Sequence, residues 1–146
     1  MVEEGQPAPD FELLSDEGEK VKLSSFKGRP VVLYFYPKDD TPGCTKQACG
    51  IRDAYEEFRK RGAVVLGVSA DTQAAHVKFK TKYELPFTLL ADPDRATGEA
   101  YGVNKPDSRY FERSTFVIDA DGKVAKVMRR VNPEKHADQV LAALTG

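Results

Sequence analysis

The chain is short of cysteine, of histidine and of any excess charge. Its 146 residues include two cysteines and two histidines, and the formal net charge is −1. Two cysteines are too few for the disulfide framework of a small secreted protein, so a core must hold the fold together. The 22 Lys and Arg are interspersed with 23 Asp and Glu, which leaves no basic stripe to neutralise phosphates or grip an anionic membrane. This argues against nucleic-acid and membrane partners. No apolar run is long enough to span a bilayer, and the opening MVEEGQPAPDFE has neither the basic nor the apolar segment of a signal or transit peptide. A cytoplasmic location is the expectation. No repeat, low-complexity tract or linker divides the sequence, so residues 1–146 are expected to form one domain. Such a domain buries about two-thirds of its extended surface.

What the chain does have is a regular succession of periodic segments. FELLSDEGEKVKL reads as a short hairpin and SSFKGRP as a turn or a single helical turn. VVLYFY, residues 31–36, is a β-branched and aromatic run of the kind buried on both faces of a sheet. From Cys44 onward, Ala48, Ile51, Tyr55 and Phe58 recur at three- and four-residue spacing and predict one helix with a single apolar stripe. AVVLGVSA predicts a second buried strand, followed by a helix in TQAAHVKFKTKY, a strand in FTLLAD and a brief helix around RATGEAYG. STFVIDADGKVAKVMRR reads as a hairpin turning at Asp-Gly, and NPEKHADQVLAAL as a closing amphipathic helix with Pro133 in its first turn. The order predicts an α/β fold with a mixed central sheet flanked by helices on both faces.

Reactive groups concentrate in PKDDTPGCTKQACGIRD, residues 37–53, which holds both cysteines. Thr41-Pro42-Gly43-Cys44 reads as a helix start with Thr41 at the N-cap and Pro42 at the first helical position. Cys44 then falls in the first turn, where unpaired N–H groups and the positive end of the helix dipole favour a thiolate. That marks it as a candidate nucleophile; the alternative is a plain helix start with Cys44 packed as a small hydrophobe. Cys49 lies five positions on, a rise of roughly 7.5 Å and a rotation of about 140°, which sets the Cα atoms roughly 8 to 9 Å apart. A disulfide needs them within about 7 Å. The pair can therefore bond only if the helix unwinds, a change eased by Gly43 and Gly50 on either side. Zinc would need two more ligands, and His76 and His136 lie far off on separate predicted helices, where they read as surface or edge residues. No metal or other cofactor is expected.

Assembled, these residues resemble the peroxiredoxins, and more narrowly the bacterioferritin-comigratory-protein or PrxQ-like subfamily. Pro37, Thr41 and Cys44 match the family's Pro-x-x-x-Thr-x-x-Cys signature, and the likeness continues through LSSFKGRPVVLYFYP, LPFTLLAD and RSTFVID. The resemblance implies a thioredoxin-like fold with an N-terminal β-hairpin extension. It also implies a thiol-dependent peroxidase that reduces hydrogen peroxide and organic hydroperoxides. By this resemblance Cys44 is the peroxidatic cysteine, which passes through a sulfenic acid, and Cys49 is the resolving cysteine that closes an intramolecular disulfide. Arg113 matches the family's active-site arginine, Thr41 orients thiolate and peroxide, Pro37 shields the sulfur, and the N–H groups of Gly43 and Cys44 add donors to the peroxide. The implied partners are the peroxide and a thioredoxin-like or other dithiol reductant. A monomer or modest homodimer is implied, because the chain ends at Gly146 without the C-terminal extension of decamer-forming relatives. Gln47 departs from the Glu of many relatives and alters the local polarity. Two other readings fit the same fold: a thiol–disulfide oxidoreductase, whose usual Cys-x-x-Cys is absent, and a non-catalytic binding or chaperone module.

Overall fold

The computed structural model describes residues 2–144; Met1, Thr145 and Gly146, and with them the chain end just invoked, lie outside the described residues. Its elements run β1 (Glu12–Ser15), β2 (Lys20–Lys22), a 3₁₀ turn (Leu23–Phe26), β3 (Val31–Phe35), α1 (Pro42–Asp53), α2 (Tyr55–Lys60) and β4 (Val64–Ser69). There follow α3 (Gln73–Tyr83), β5 (Thr88–Ala91), α4 (Ala96–Tyr101), β6 (Ser114–Ile118), β7 (Val124–Arg129) and α5 (His136–Leu144). Among the described residues no helix is long and apolar enough to cross a membrane.

Every residue of β3 is buried, as its unbroken apolar run requires, because alternate side chains enter opposite layers. Val31, Leu33 and Phe35 join Leu66, Phe116 and Tyr101 of α4 on one face. Val32, Tyr34 and Tyr36 join Ile51 of α1, Phe58 of α2, Phe79 of α3 and Val140 of α5 on the other. The strands lie in the order β2-β1-β5-β4-β3-β6-β7. The β3–β4 and β4–β5 pairs are parallel and the remaining pairs antiparallel, which makes the mixed sheet expected from the sequence. Asp16 fastens the opening hairpin to β5: its N–H donates to the Leu89 carbonyl at 2.9 Å, and its carboxylate accepts the Leu89 N–H at 2.9 Å and Lys80 Nζ at 2.9 Å.

Two local expectations change. The apolar stripe from Cys44 to Phe58 is carried by two helices, not one. The chain breaks at Ala54 (φ −98°, ψ 7°), whose N–H is shared between the carbonyls of Gly50 and Ile51 at 3.2 Å each. Pro133 stands in a turn ahead of α5, outside its first turn. The Asn132 side chain accepts the Glu134 N–H at 3.0 Å and its carbonyl accepts the Lys135 N–H at 3.1 Å, so the helix begins at His136. The register of β3 with β6 pairs Phe35 with Ser114. Arg113, one residue earlier, is thereby set beside the carboxyl end of β3 and the loop into α1, the end at which α/β sheets open their binding crevices.

Candidate active site

The chain leaves β3 through Tyr36 and the half-buried Pro37 into a loop pinned from beneath. The Asp39 carboxylate accepts the Tyr36 hydroxyl at 2.5 Å and meets His76 Nδ1 at 2.6 Å, while the Asp39 N–H donates to Asp71 at 2.8 Å. His76 Nε2 faces the Leu90 carbonyl at 2.9 Å. Burial, reinforced by the Asp39 charge, keeps the Tyr36 hydroxyl protonated far above its ordinary range. Asp40 adopts a left-handed backbone (φ 57°) and is held by Lys82 at 2.8 Å and the Tyr83 hydroxyl at 2.8 Å. Those two bonds keep its carboxyl below the usual carboxylate range.

Thr41 occupies the N-cap of α1 with extended backbone (φ −97°, ψ 155°), but its side chain caps nothing. It donates instead to the Lys38 carbonyl at 2.8 Å. Helix α3 supplies the contrast: there Thr72, also at an N-cap, accepts the N–H of Ala75 three residues on. In α1 the equivalent N–H belongs to Cys44. Because Thr41 turns away, the N–H groups of Gly43 and Cys44 keep their donor capacity beside the sulfur. Cys44 is 1% exposed and Cys49 half-buried, and both are free thiols. Both lie on the continuous helix α1, five positions apart, where no disulfide closes without unwinding.

Arg113 lies against the same turn. A Cβ built on Gly43 would come within 2.9 Å of Arg113 Nη2, so glycine is what admits the guanidinium here. Arg113 Nη1 donates to Gln47 Oε1 at 2.6 Å. Gln47 Nε2 reaches His136 Nδ1 at 3.2 Å, and His136 Nε2 reaches Thr115 Oγ1 at 2.7 Å. Gln47, His136 and Thr115 are all fully buried. Burial first, and the Arg113 charge second, push the His136 pKa from 6.5 down to about 3, so the ring is neutral at physiological pH. The Tyr34 ring packs 5.5 Å from that of His136. Its hydroxyl is buried with no partner among the described residues, and burial, followed by the charge of Cys44, keeps it protonated.

The structure thus gathers Pro37, Thr41, Gly43, Cys44 and Arg113 at one end of the sheet, with Cys49 further along α1. A cleft lined by Pro7, Leu23, Phe26, Val31 and Ile118 sits at the opposite end of β3. The expectation that His76 and His136 are surface or edge residues is overturned, since both are fully buried. Their partners Asp39 and Gln47 are 37 and 89 residues away, so no local spacing announces them. Gln47 carries one usable signal: three residues after Cys44, it shares that residue's face of the helix. Among the described residues, no three His, Cys, Asp or Glu side chains are grouped so that they could hold a metal ion.

The AhpC/TSA family profile matches residues 4–127. Peroxiredoxin Bcp of Bacillus subtilis is 48% identical over 149 residues, covering 98% of this chain and 95% of that protein. Among solved structures, peroxidoxin BcpB from Mycobacterium tuberculosis superposes with a TM-score of 0.92 at 36% identity, covering 99% of this chain and 97% of its own. The bacterioferritin comigratory protein of Xanthomonas campestris gives 0.91 at 36% identity over 98% of each chain. Agreement of this depth along almost the whole length leaves one assignment: the chain belongs to the AhpC/TSA family and is a thioredoxin-fold peroxiredoxin of the Bcp and peroxiredoxin Q group, a thiol-dependent peroxidase.

Proposed function

We propose that the chain works as one domain that reduces hydrogen peroxide and organic hydroperoxides at Cys44, resolves the product through Cys49, and is recycled by a thioredoxin-like dithiol protein. The observation that carries this reading is the uncapped first turn of α1, where the buried Cys44 stands beside free N–H donors and the Arg113 guanidinium packs on Gly43. A helix N-terminus and a guanidinium both favour thiolate over thiol, and the same groups stabilise charge developing on a departing oxygen.

In the first step the Cys44 thiolate attacks one peroxide oxygen in line with the O–O bond. An S–O bond forms as the O–O bond breaks, and the electron pair leaves with the distal oxygen, which takes a proton and departs as water or an alcohol. The sulfur is oxidised by two electrons to a sulfenic acid. The Thr41 hydroxyl, its proton given to the Lys38 carbonyl, keeps lone pairs that accept from the peroxide O–H and so orient the substrate, and Pro37 shields the sulfur at the strand exit. In the second step α1 unwinds, the Cys49 thiolate attacks the sulfenic sulfur, an S–S bond forms, and the S–O oxygen leaves as water after protonation. A dithiol reductant then reduces this disulfide by two exchanges and is itself oxidised to a disulfide.

The reported alkyl peroxide reduction activity of the Xanthomonas campestris protein supports organic hydroperoxides as substrates. Recycling by dithiols supports a reducing compartment, the cytoplasm, and we infer a monomer or modest homodimer. Intact mass and free-thiol count after one equivalent of hydrogen peroxide test the cycle, with Cys44→Ser and Cys49→Ser alongside. Wild type is expected to lose two hydrogens, Cys49→Ser to give a trappable sulfenic acid, and Cys44→Ser not to react. A wild-type protein that stays reduced as long as a free thiol would end the peroxidase reading.

A further inference from the structure

The guanidinium of Arg113 is met by an amide where a carboxylate would be the simpler partner, and an amide can face either way. Arg113 Nη1 only donates, so the atom of Gln47 lying 2.6 Å from it is the carbonyl oxygen. The Gln47 NH₂ must then face His136 Nδ1 at 3.2 Å, which obliges that nitrogen to accept. The ring proton accordingly sits on Nε2 and is donated to Thr115 Oγ1 at 2.7 Å. Were the proton on Nδ1, two N–H groups would oppose each other. Gln47 would turn over and present its NH₂ to the guanidinium, repelling what it now holds. Among the described residues, no other hydrogen bond of the Gln47 side chain distinguishes its two ends.

We propose that His136, on α5, is a positioning residue for the peroxidatic chemistry: its Nδ1 lone pair, with the ring proton engaged at Thr115 Oγ1, holds the Gln47 amide with its oxygen toward Arg113 and so helps to place the guanidinium. The inference rests on the role given to Arg113 under Proposed function. It assigns to the last helix a part in a site otherwise drawn from α1 and the strand ends. Because Gln47 brings no charge of its own, the full charge of Arg113 remains available to the Cys44 thiolate, and its direction depends on a neutral ring.

The test uses the full chain carrying Cys49→Ser, so that Cys44 is the one thiol present, and reads the thiolate absorbance midpoint with pH together with the second-order rate with hydrogen peroxide. His136→Leu removes the acceptor; Thr115→Val, nearly the same shape as threonine, leaves the Nε2 proton without a partner and so disfavours the tautomer whose Nδ1 accepts. Each is expected to raise the midpoint by about one unit and slow the reaction about tenfold. His136→Asn places an amide oxygen near the former Nδ1 and is expected to stay within about twofold of wild type. In an Arg113→Ala background, His136→Leu should add nothing further. A shifted Arg113→Ala beside unshifted His136→Leu and Thr115→Val overturns the proposal alone, as does a His136→Leu effect that persists without Arg113. An unshifted Arg113→Ala overturns the role of Arg113 itself. Should His136→Leu lose its far-UV circular dichroism, Thr115→Val carries the same comparison.

Discussion

In the proposed cycle Cys49 reaches Cys44 only when α1 opens between them, so the stability of that stretch of helix is expected to set the pace of resolution. Gly50 offers a way to change this stability and little else. It lies in the interior of α1, and a Cβ built on it meets nothing closer than the Ala137 methyl at 4.0 Å, an ordinary contact. Replacing an interior helical glycine by alanine stabilises a helix by about 1 kcal/mol, which makes opening about fivefold rarer. In Gly50→Ala the first step should keep its wild-type rate, because the turn around Cys44 is untouched. Disulfide formation should slow about fivefold. The sulfenic acid then persists longer in the presence of peroxide, and oxidation to the irreversible sulfinic acid should begin at lower peroxide concentration. Rapid quench followed by intact mass analysis resolves the sulfenic, disulfide and sulfinic forms, and amide hydrogen exchange reports the opening itself. In wild type, protection across residues 43–50 should fall on oxidation to the disulfide. A variant whose exchange is slowed while its disulfide forms at the wild-type rate would refute gating by unwinding.

Gly43→Ala sets a methyl within 2.9 Å of Arg113 Nη2 and must displace the guanidinium. The expected result is a rate with peroxide lower by about tenfold or more with unchanged circular dichroism, since removal of one transition-state donor costs about that much or more; a wild-type rate would place Arg113 outside the reaction. Acid should weaken the fold through His136. Its folded pKa of about 3 lies below 6.5, so the unfolded chain binds more protons in that window. Its contribution, complete above about pH 6.5, is lost as the pH falls toward 3, at about 1.4 kcal/mol per pH unit. The ring meets Gln47, Thr115 and Tyr34 and feels the charge of Arg113, and none of these supplies a carboxylate to offset that cost. Denaturant titrations across this range should show a steeper pH slope in wild type than in His136→Asn, and equal slopes would contradict the neutral burial. His76→Leu leaves the buried Asp39 carboxylate without its 2.6 Å partner, with an expected loss of about 1–3 kcal/mol in chemical denaturation. Unchanged stability would mean that the loop does not depend on this anchor.

The apolar skeleton was legible from the sequence because burial writes itself as periodicity. The run at residues 31–36 and the alternation of strands and helices led to the mixed sheet, and the Thr41-Pro42 helix start with the apolar stripe that follows placed both cysteines on α1. The break at Ala54 was not legible, because Ile51 and Phe58 still face one core after the helix restarts. Nor was the uncapped Thr41. A threonine before a helix reads the same whether its hydroxyl turns forward, as in Thr72, or back, as in Thr41. The two histidines were misread for a related reason. A buried polar side chain is recognised by its partner, and Gln47 and Asp39 come close to their histidines only when the sheet has formed.

That last contact also carries a consequence for how the molecule is made. Gln47 is 66 residues ahead of Arg113 and 89 ahead of His136. At a synthesis rate of about 5–20 residues per second, Cys44 is in existence for roughly 5 to 18 s before the helix that completes its surroundings begins. For the first roughly 3 to 14 s of that interval it has neither the guanidinium nor the ring behind it, and for the remainder it lacks the ring. On the roles proposed for Arg113 and His136, the groups that direct the chemistry of Cys44 are joined to the chain only well after the cysteine itself.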